Sequence, residues 1–149
     1  MPEMGQPLGN ESAHTTEILD CGDARLTTRS DRNLTVLTIT GEIYASNVDD
    51  VKRRIRALVP QLAVLVVDLS RIDFIGVAGF SALTLLNTEC ANANVSWVLI
   101  PSYSVRRLLR VSDPGGTLPV VASSAEALRH VRSAIRATRP LRLVTPADE

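Results

Sequence analysis

Apolar side chains recur along this chain in two rhythms, and the switches between them predict its elements. Leu34-Thr35-Val36-Leu37-Thr38-Ile39-Thr40 is β-branched and largely alternating, then stops at Gly41, the pattern of a strand. A weaker strand is expected before it, around residues 25–30, with Ser30-Asp31-Arg32-Asn33 as the turn. Val48, Val51, Ile55 and Leu58 fall at i, i+3, i+7 and i+10, one stripe of a helix. Asn47 is placed to cap that helix, Asp49 and Asp50 suit its first turn, and Pro60 stops it. Residues 64–69 form an unbroken apolar run of strand length, suited to a central strand buried on both faces. From Phe80 to about Ala91 the period returns to 3.6, with Phe80, Leu83, Leu86 or Asn87, and Cys90 on one side.

Val95–Ile100 predicts another buried strand, ended by Pro101. A short helix follows, capped by Ser102 or Ser104 and packing Val105, Leu108 and Leu109. Asp113-Pro114-Gly115-Gly116 is a turn, and Leu118–Val121 is expected as a last short strand. Ser123-x-x-Glu126 is a capping box that opens a final helix with Leu128, Val131 and Ile135 on its stripe. The order β-β-α-β-α-β-α-β-α implies parallel neighbours joined by right-handed crossovers, plus one antiparallel edge. The expected architecture is a single α/β domain, a mixed and mostly parallel sheet of about five strands covered by about four helices. Residues 1–14 and 139–149 are expected as polar tails flanking a domain at 15–138.

Composition sharpens this outline. At 149 residues the chain suits one domain with a core of its own, and aromatics at 3% require that core to be aliphatic. Sixteen basic side chains balance sixteen acidic ones, so no overall charge draws in nucleic acid or an anionic membrane. The distribution is two-sided: residues 1–50 hold nine acids and three bases, whereas 101–142 hold eight Arg against Asp113 and Glu126. Arg106, Arg107, Arg110 and Arg129, Arg132, Arg136 are either solvated helix faces or a basic face for an acidic partner. The longest aliphatic run, residues 62–67, is far short of the ~20 residues of a spanning helix. The first residues lack the charge and apolar stretch of a secretory signal, which predicts a cytoplasmic protein.

Enzyme chemistry finds little to stand on. His14 and His130 lie near no plausible nucleophile in sequence, and Cys21 and Cys90 lack metal-ligand spacing. Gly79-Phe80-Ser81-Ala82-Leu83 begins like a nucleophile elbow but lacks the second Gly. No phosphate-cradling glycine loop is present. Asp68 closes a buried strand, where some folds accept a phosphoryl group, but the chain's single Lys is Lys52 on the first helix. Asp68 is therefore expected to bond the backbone of the loop that follows. Cys90 is expected to be an inert core thiol, and neither a metal nor a cofactor is expected.

One segment carries a resemblance. Asp68-Leu69-Ser70-Arg71-Ile72-Asp73-Phe74-Ile75-Gly76-Val77-Ala78-Gly79-Phe80 is similar to the signature of STAS domains, and among them the bacterial anti-sigma factor antagonists. Asp68, Leu69, Ser70, Phe74, Ile75 and Gly79 agree with it, and Thr40-Gly41-Glu42-Ile43 upstream resembles the family's Gly-Glu-Leu-Asp corner. The likeness runs over roughly residues 25–135. It implies a STAS-like fold and a non-enzymatic protein that binds an anti-sigma factor of ATPase or kinase fold, freeing a sigma factor for transcription. The family's Asp-Ser-Ser/Thr is replaced here by Gly76-Val77-Ala78, so Ala78 stands at the phosphoacceptor position without a hydroxyl.

The expected partner-binding surface is the loop Gly76, Val77, Ala78 and Gly79, the helix start at Phe80 and Ser81, and the neighbouring junction at Ile43 and Asn47. Ser81 is either an alternative phosphoacceptor or a hydroxyl of the first helical turn. The alternatives are a STAS-type module that senses a nucleotide or other small ligand, and, last, a receiver-like or hydrolytic enzyme. A homodimer is compatible with every one of these.

Overall fold

The computed structural model describes residues 14–147. Six strands and four helices follow in the order β1 (His14–Cys21), β2 (Ala24–Asp31), β3 (Leu34–Ile43), α1 (Val48–Leu58), β4 (Val64–Asp68), β5 (Ile72–Ile75), α2 (Phe80–Ala93), β6 (Ser96–Ile100), α3 (Tyr103–Ser112) and α4 (Ser124–Ala147). Strands β1, β2 and β3 form an antiparallel meander, and β4 and β6 extend the sheet in parallel in the order β1-β2-β3-β4-β6. The mixed α/β architecture expected from the periodicity is the one observed.

The two aliphatic runs are β4, inside the sheet, and β6, at its end, and their alternation feeds two cores. Leu65, Val67 and Leu99 face α1, α2 and α3, in a cluster with Val51, Ile55, Leu86 and Val105. Val64, Val66, Val98 and Ile100 face the other way, against Ala127 and Val131 of α4. Leu128, expected on the buried stripe of α4, is 49% exposed. The stripe is instead Ala127 and Val131, flanked by Ala134 and Ile135, because small side chains let the helix lie close to the strands.

Strand β5 occupies the position beside β3 that β4 has vacated. Residues 34–38 of β3 pair with 64–68, and after a bulge at Gly41/Glu42 the residues Glu42 and Ile43 pair with Phe74 and Ile75. Asp68 makes the break: its Oδ1 accepts from the Ser70 N–H at 2.9 Å and from the Ser70 hydroxyl at 2.6 Å. This local Asx turn is the loop-binding role expected for Asp68. Gly41, where β3 was expected to stop, instead bends it at φ +95°; a Cβ there would lie 2.1 Å from the Asp23 carbonyl oxygen.

Several elements differ from the pattern-based expectation. Strand β1 was not foreseen, because as the outer strand of the meander it buries only Cys21 and so shows no apolar period. Strand β5, four residues long, is too short to register as a period. Residues 118–121 form no strand but one bridge, Leu99 to Val120; Pro119 between them has no N–H to extend a ladder. Helix α3 begins at Ser102, whose hydroxyl accepts from the Val105 N–H, and Ser123 caps α4 through the Glu126 N–H. The backbone of α4 continues helical to Ala147, beyond residue 138. The N-terminal tail expected at 1–14 lies outside the described residues apart from His14, which opens β1.

Burial pushes the Cys90 thiol up to about 12, with the Glu89 charge adding to the effect. Burial, then Asp50 and Asp20, raises Cys21 as well. In the unfolded chain a thiol ionises near 9.0, so above that pH the unfolded state loses protons that the folded state keeps. The thiol contribution to the urea midpoint should therefore be flat below about pH 9, and the midpoint should fall as pH rises beyond it, with a shallower fall in Cys90→Ala.

Candidate functional site

The ends of β3, β5 and β6 converge at the carboxyl edge of the parallel strands, where open α/β sheets present their binding surfaces. There β5 hands over to α2 through a 3-10 turn, Val77–Gly79. The Gly76 N–H donates to the Ile43 carbonyl at 2.9 Å, carrying the β3–β5 ladder one residue further, and the Gly79 N–H donates to the Gly76 carbonyl at 2.8 Å. Gly79 is required by contact: a Cβ would lie 2.4 Å from Ile75 Cγ1 and 2.7 Å from its Cδ1. Gly76 is less constrained, since a Cβ would meet Phe74 and the Ile43 carbonyl oxygen no closer than 3.6 Å and 3.8 Å.

The residues singled out in the sequence separate into two layers. Val77 is 81% exposed at the tip of the turn, while Ala78 and Phe80 are half-buried against the core beneath. Ser81 is half-buried too, and its hydroxyl donates to the Ala78 carbonyl at 2.7 Å, the first-turn role that was the blander of its two readings. Ile43 and Asn47, expected to touch a partner, are buried at 1% and 4% exposure, and Gly79 is buried with them. These three lie under the surface and shape it from below.

Asn47 does so through hydrogen bonds and not as a helix cap. Its Oδ1 accepts from the Tyr44 N–H at 2.8 Å. Its Nδ2 donates to the carbonyls of Cys21 and Glu42, each at 2.9 Å. One amide thereby ties the end of β1 to the end of β3 and closes the turn into α1. The first turn of α1 is left with Asp49 and Asp50 as its favourable charges.

Three surface aromatics near this corner were missed as site residues. Tyr44 stacks on Phe74 with ring centroids 5.2 Å apart, and its hydroxyl donates to the Glu42 carboxylate. That hydrogen bond, with burial and the Glu42 charge behind it, raises the Tyr44 pKa above its ordinary value. Phe74 flanks Gly76 and is exposed, as is Tyr103 at the start of α3. Helix α3 is fastened to β5 by the Ser104 hydroxyl, which donates to the Asp73 carbonyl at 2.8 Å. The signal available in sequence was Phe74 itself, an aromatic two residues before a glycine corner in a chain with very few aromatics.

Among the described residues no group of three or more His, Cys, Asp or Glu side chains could hold a metal ion. The large apolar side chains exposed at this corner are Phe74, Val77 and Tyr103. Asn47→Ala should lower stability by about 1–3 kcal/mol, since it leaves one buried and two part-buried backbone groups without their partner. A urea titration checks this, and NMR should show the shift changes centred on residues 21–23, 42–48 and 74–79.

Residues 25–138 match the STAS domain family. Osmosensory protein A of Mycobacterium tuberculosis is 33% identical to the chain over 127 residues, which is 83% of this chain and 80% of that protein. In fold, an anti-sigma factor antagonist from Mycobacterium paratuberculosis is similar at a TM-score of 0.61, with 22% identity over 80% of this chain and 94% of that one. The anti-sigma factor antagonist SpoIIAA in its unphosphorylated form is similar at 0.57, with 18% identity over 80% of this chain and 97% of that one. The chain belongs to the STAS domain family.

Proposed function

We propose that this chain is an anti-sigma factor antagonist that docks on an anti-sigma factor of ATPase or kinase fold and so releases a sigma factor. The observation that carries this is Val77, 81% exposed on the turn that leads into α2. A large aliphatic side chain held in water on a hydrogen-bonded turn gains from burial under a partner, about 25 cal/mol for each Å² of apolar surface removed from water. Gly76, Val77, Ala78, Phe80 and Ser81 form or border the contact surface, whereas Ile43, Asn47 and Gly79 position it. Two of the folds it resembles belong to anti-sigma factor antagonists, and the name of the 33%-identical relative supports a role in stress signalling.

The docked state is not ended by phosphorylation at position 78. A phosphate brings roughly −1.5 to −2 charges, enough to expel an apolar loop from a close-packed interface, and it needs a hydroxyl for attachment. Ala78 has none, and the Ser81 hydroxyl faces back to the Ala78 carbonyl.

Mixed with its cognate anti-sigma factor and ATP, the chain should stay unlabelled and bound, as read by radiolabel and size-exclusion chromatography. Val77→Asp should weaken the complex about tenfold or more, because it places a charge in an apolar contact. The triple variant Gly76→Asp, Val77→Ser, Ala78→Ser should become a substrate and dissociate with ATP. Position 76 has extended backbone and ordinary room for a Cβ, so the triple variant fits the corner. Labelling of the unmodified chain at Ser70 or Ser81 with loss of binding would overturn the unswitched state.

A further inference from the structure

Helix α3 turns one continuous stripe to solvent. Tyr103, Arg106, Arg107, Arg110 and Val111 fall at i, i+3, i+4, i+7 and i+8, and all five are exposed, while Val105 and Leu109 on the opposite side are buried. At 1.5 Å per residue the stripe is about 12 Å long. It opens and closes on large apolar side chains left in water, Tyr103 at 70% exposure and Val111 at 81%. Arg107 lies over the Tyr103 ring, 5.8 Å from its centroid.

Some cations elsewhere on the surface are paired within the chain. On β2 and α1, Arg25 pairs with Asp20, Arg53 with Asp50, and Arg54 with Glu17. Among the described residues, Arg106, Arg107 and Arg110 pair with no carboxylate. The first turn of α3 holds no acid. Asp113, just past its end, is engaged by the Thr117 hydroxyl and by the Thr117 and Leu118 N–H groups. Asp73 of β5, whose carbonyl holds Ser104, is the remaining nearby acid. The result is a cluster of three cations set between two exposed apolar groups, with Asp73 and Asp113 at its two ends. Arg and Tyr together are enriched at the centres of protein interfaces, while a merely solvated face interleaves both signs of charge.

We propose that the outer stripe of α3 is a docking surface for an acidic segment of a partner protein, whose carboxylates meet the three guanidiniums and whose apolar side chain packs on Tyr103 or Val111. Guanidinium groups pair with carboxylates in a two-pronged geometry, which gives such a contact direction as well as charge. A nucleic acid fits less well, because its charge runs on beyond 12 Å into a molecule of zero net charge with nine acids in its first fifty residues. The docking surface makes no use of residues 76–79 and borders the corner only at Tyr103.

The test is an NMR titration of the whole chain with a synthetic Asp/Glu-Leu peptide of about 12 residues, matched to the stripe with room at each end. Parallel arms use the Asn/Gln-Leu counterpart, a short DNA duplex, and vesicles containing phosphatidylglycerol. The acidic peptide should shift residues 103–111 selectively and bind less tightly as salt rises. Arg106→Gln, Arg107→Gln, Arg110→Gln, all at exposed positions, should keep the helical circular dichroism and weaken binding about tenfold. Val77→Asp should leave peptide binding unchanged. Equal binding of the neutral peptide, tighter binding of DNA or vesicles, or shifts centred on the arginines of α4 would each overturn the assignment.

Discussion

The start of α2 lies so close to β5 that no side chain fits between them. Gly79 is the point of closest approach, with Ile75 occupying the space a Cβ would need. Given that contact, the turn from Val77 to Gly79 has only one direction for its first side chain, away from the sheet. The exposure of Val77 is thus a consequence of helix-on-strand packing and not a separate feature of the loop. A second forced close approach cooperates with it. Gly41 bends β3 against the Asp23 carbonyl, so that its last residues leave β4 and take up β5, which delivers the chain to the corner.

The carboxyl edge of the sheet is held by small polar side chains bonded to backbone, some nearby in sequence and some far away. Asp68 satisfies Ser70, Asn47 satisfies three backbone groups, Ser102 caps α3, and Ser104 fastens it to β5. Polar groups tied up from below leave an upper surface of Phe74, Val77, Tyr44 and Tyr103. Four of the chain's five aromatic residues, these three and Phe80, stand at strand ends or helix starts on this one edge. A surface held in a single arrangement has little conformational entropy left to lose.

Much of this was legible in the residue pattern. Strands β3, β4 and β6 and the buried stripes of α1 and α2 follow from periodicity, because side chains buried on one or both faces of an element must repeat with its geometry. The corner at 76–79 could be located from its glycines and its likeness to the STAS signature. Strand β1 could not be found that way, since an edge strand that buries only Cys21 has no period to show. Nor could the pattern divide the site into its two layers. Ile43 and Val77 are both aliphatic, yet one lies beneath the corner and the other at its tip. Asn47 has the chemistry of a helix cap but bonds Cys21, 26 residues away. Which way each points depends on contacts between segments distant in sequence, at Gly79 against Ile75 and Ile43 and at Asn47 against β1. Periodicity reports how an element is buried against its own sheet, and only the assembled structure decides which neighbours are already taken.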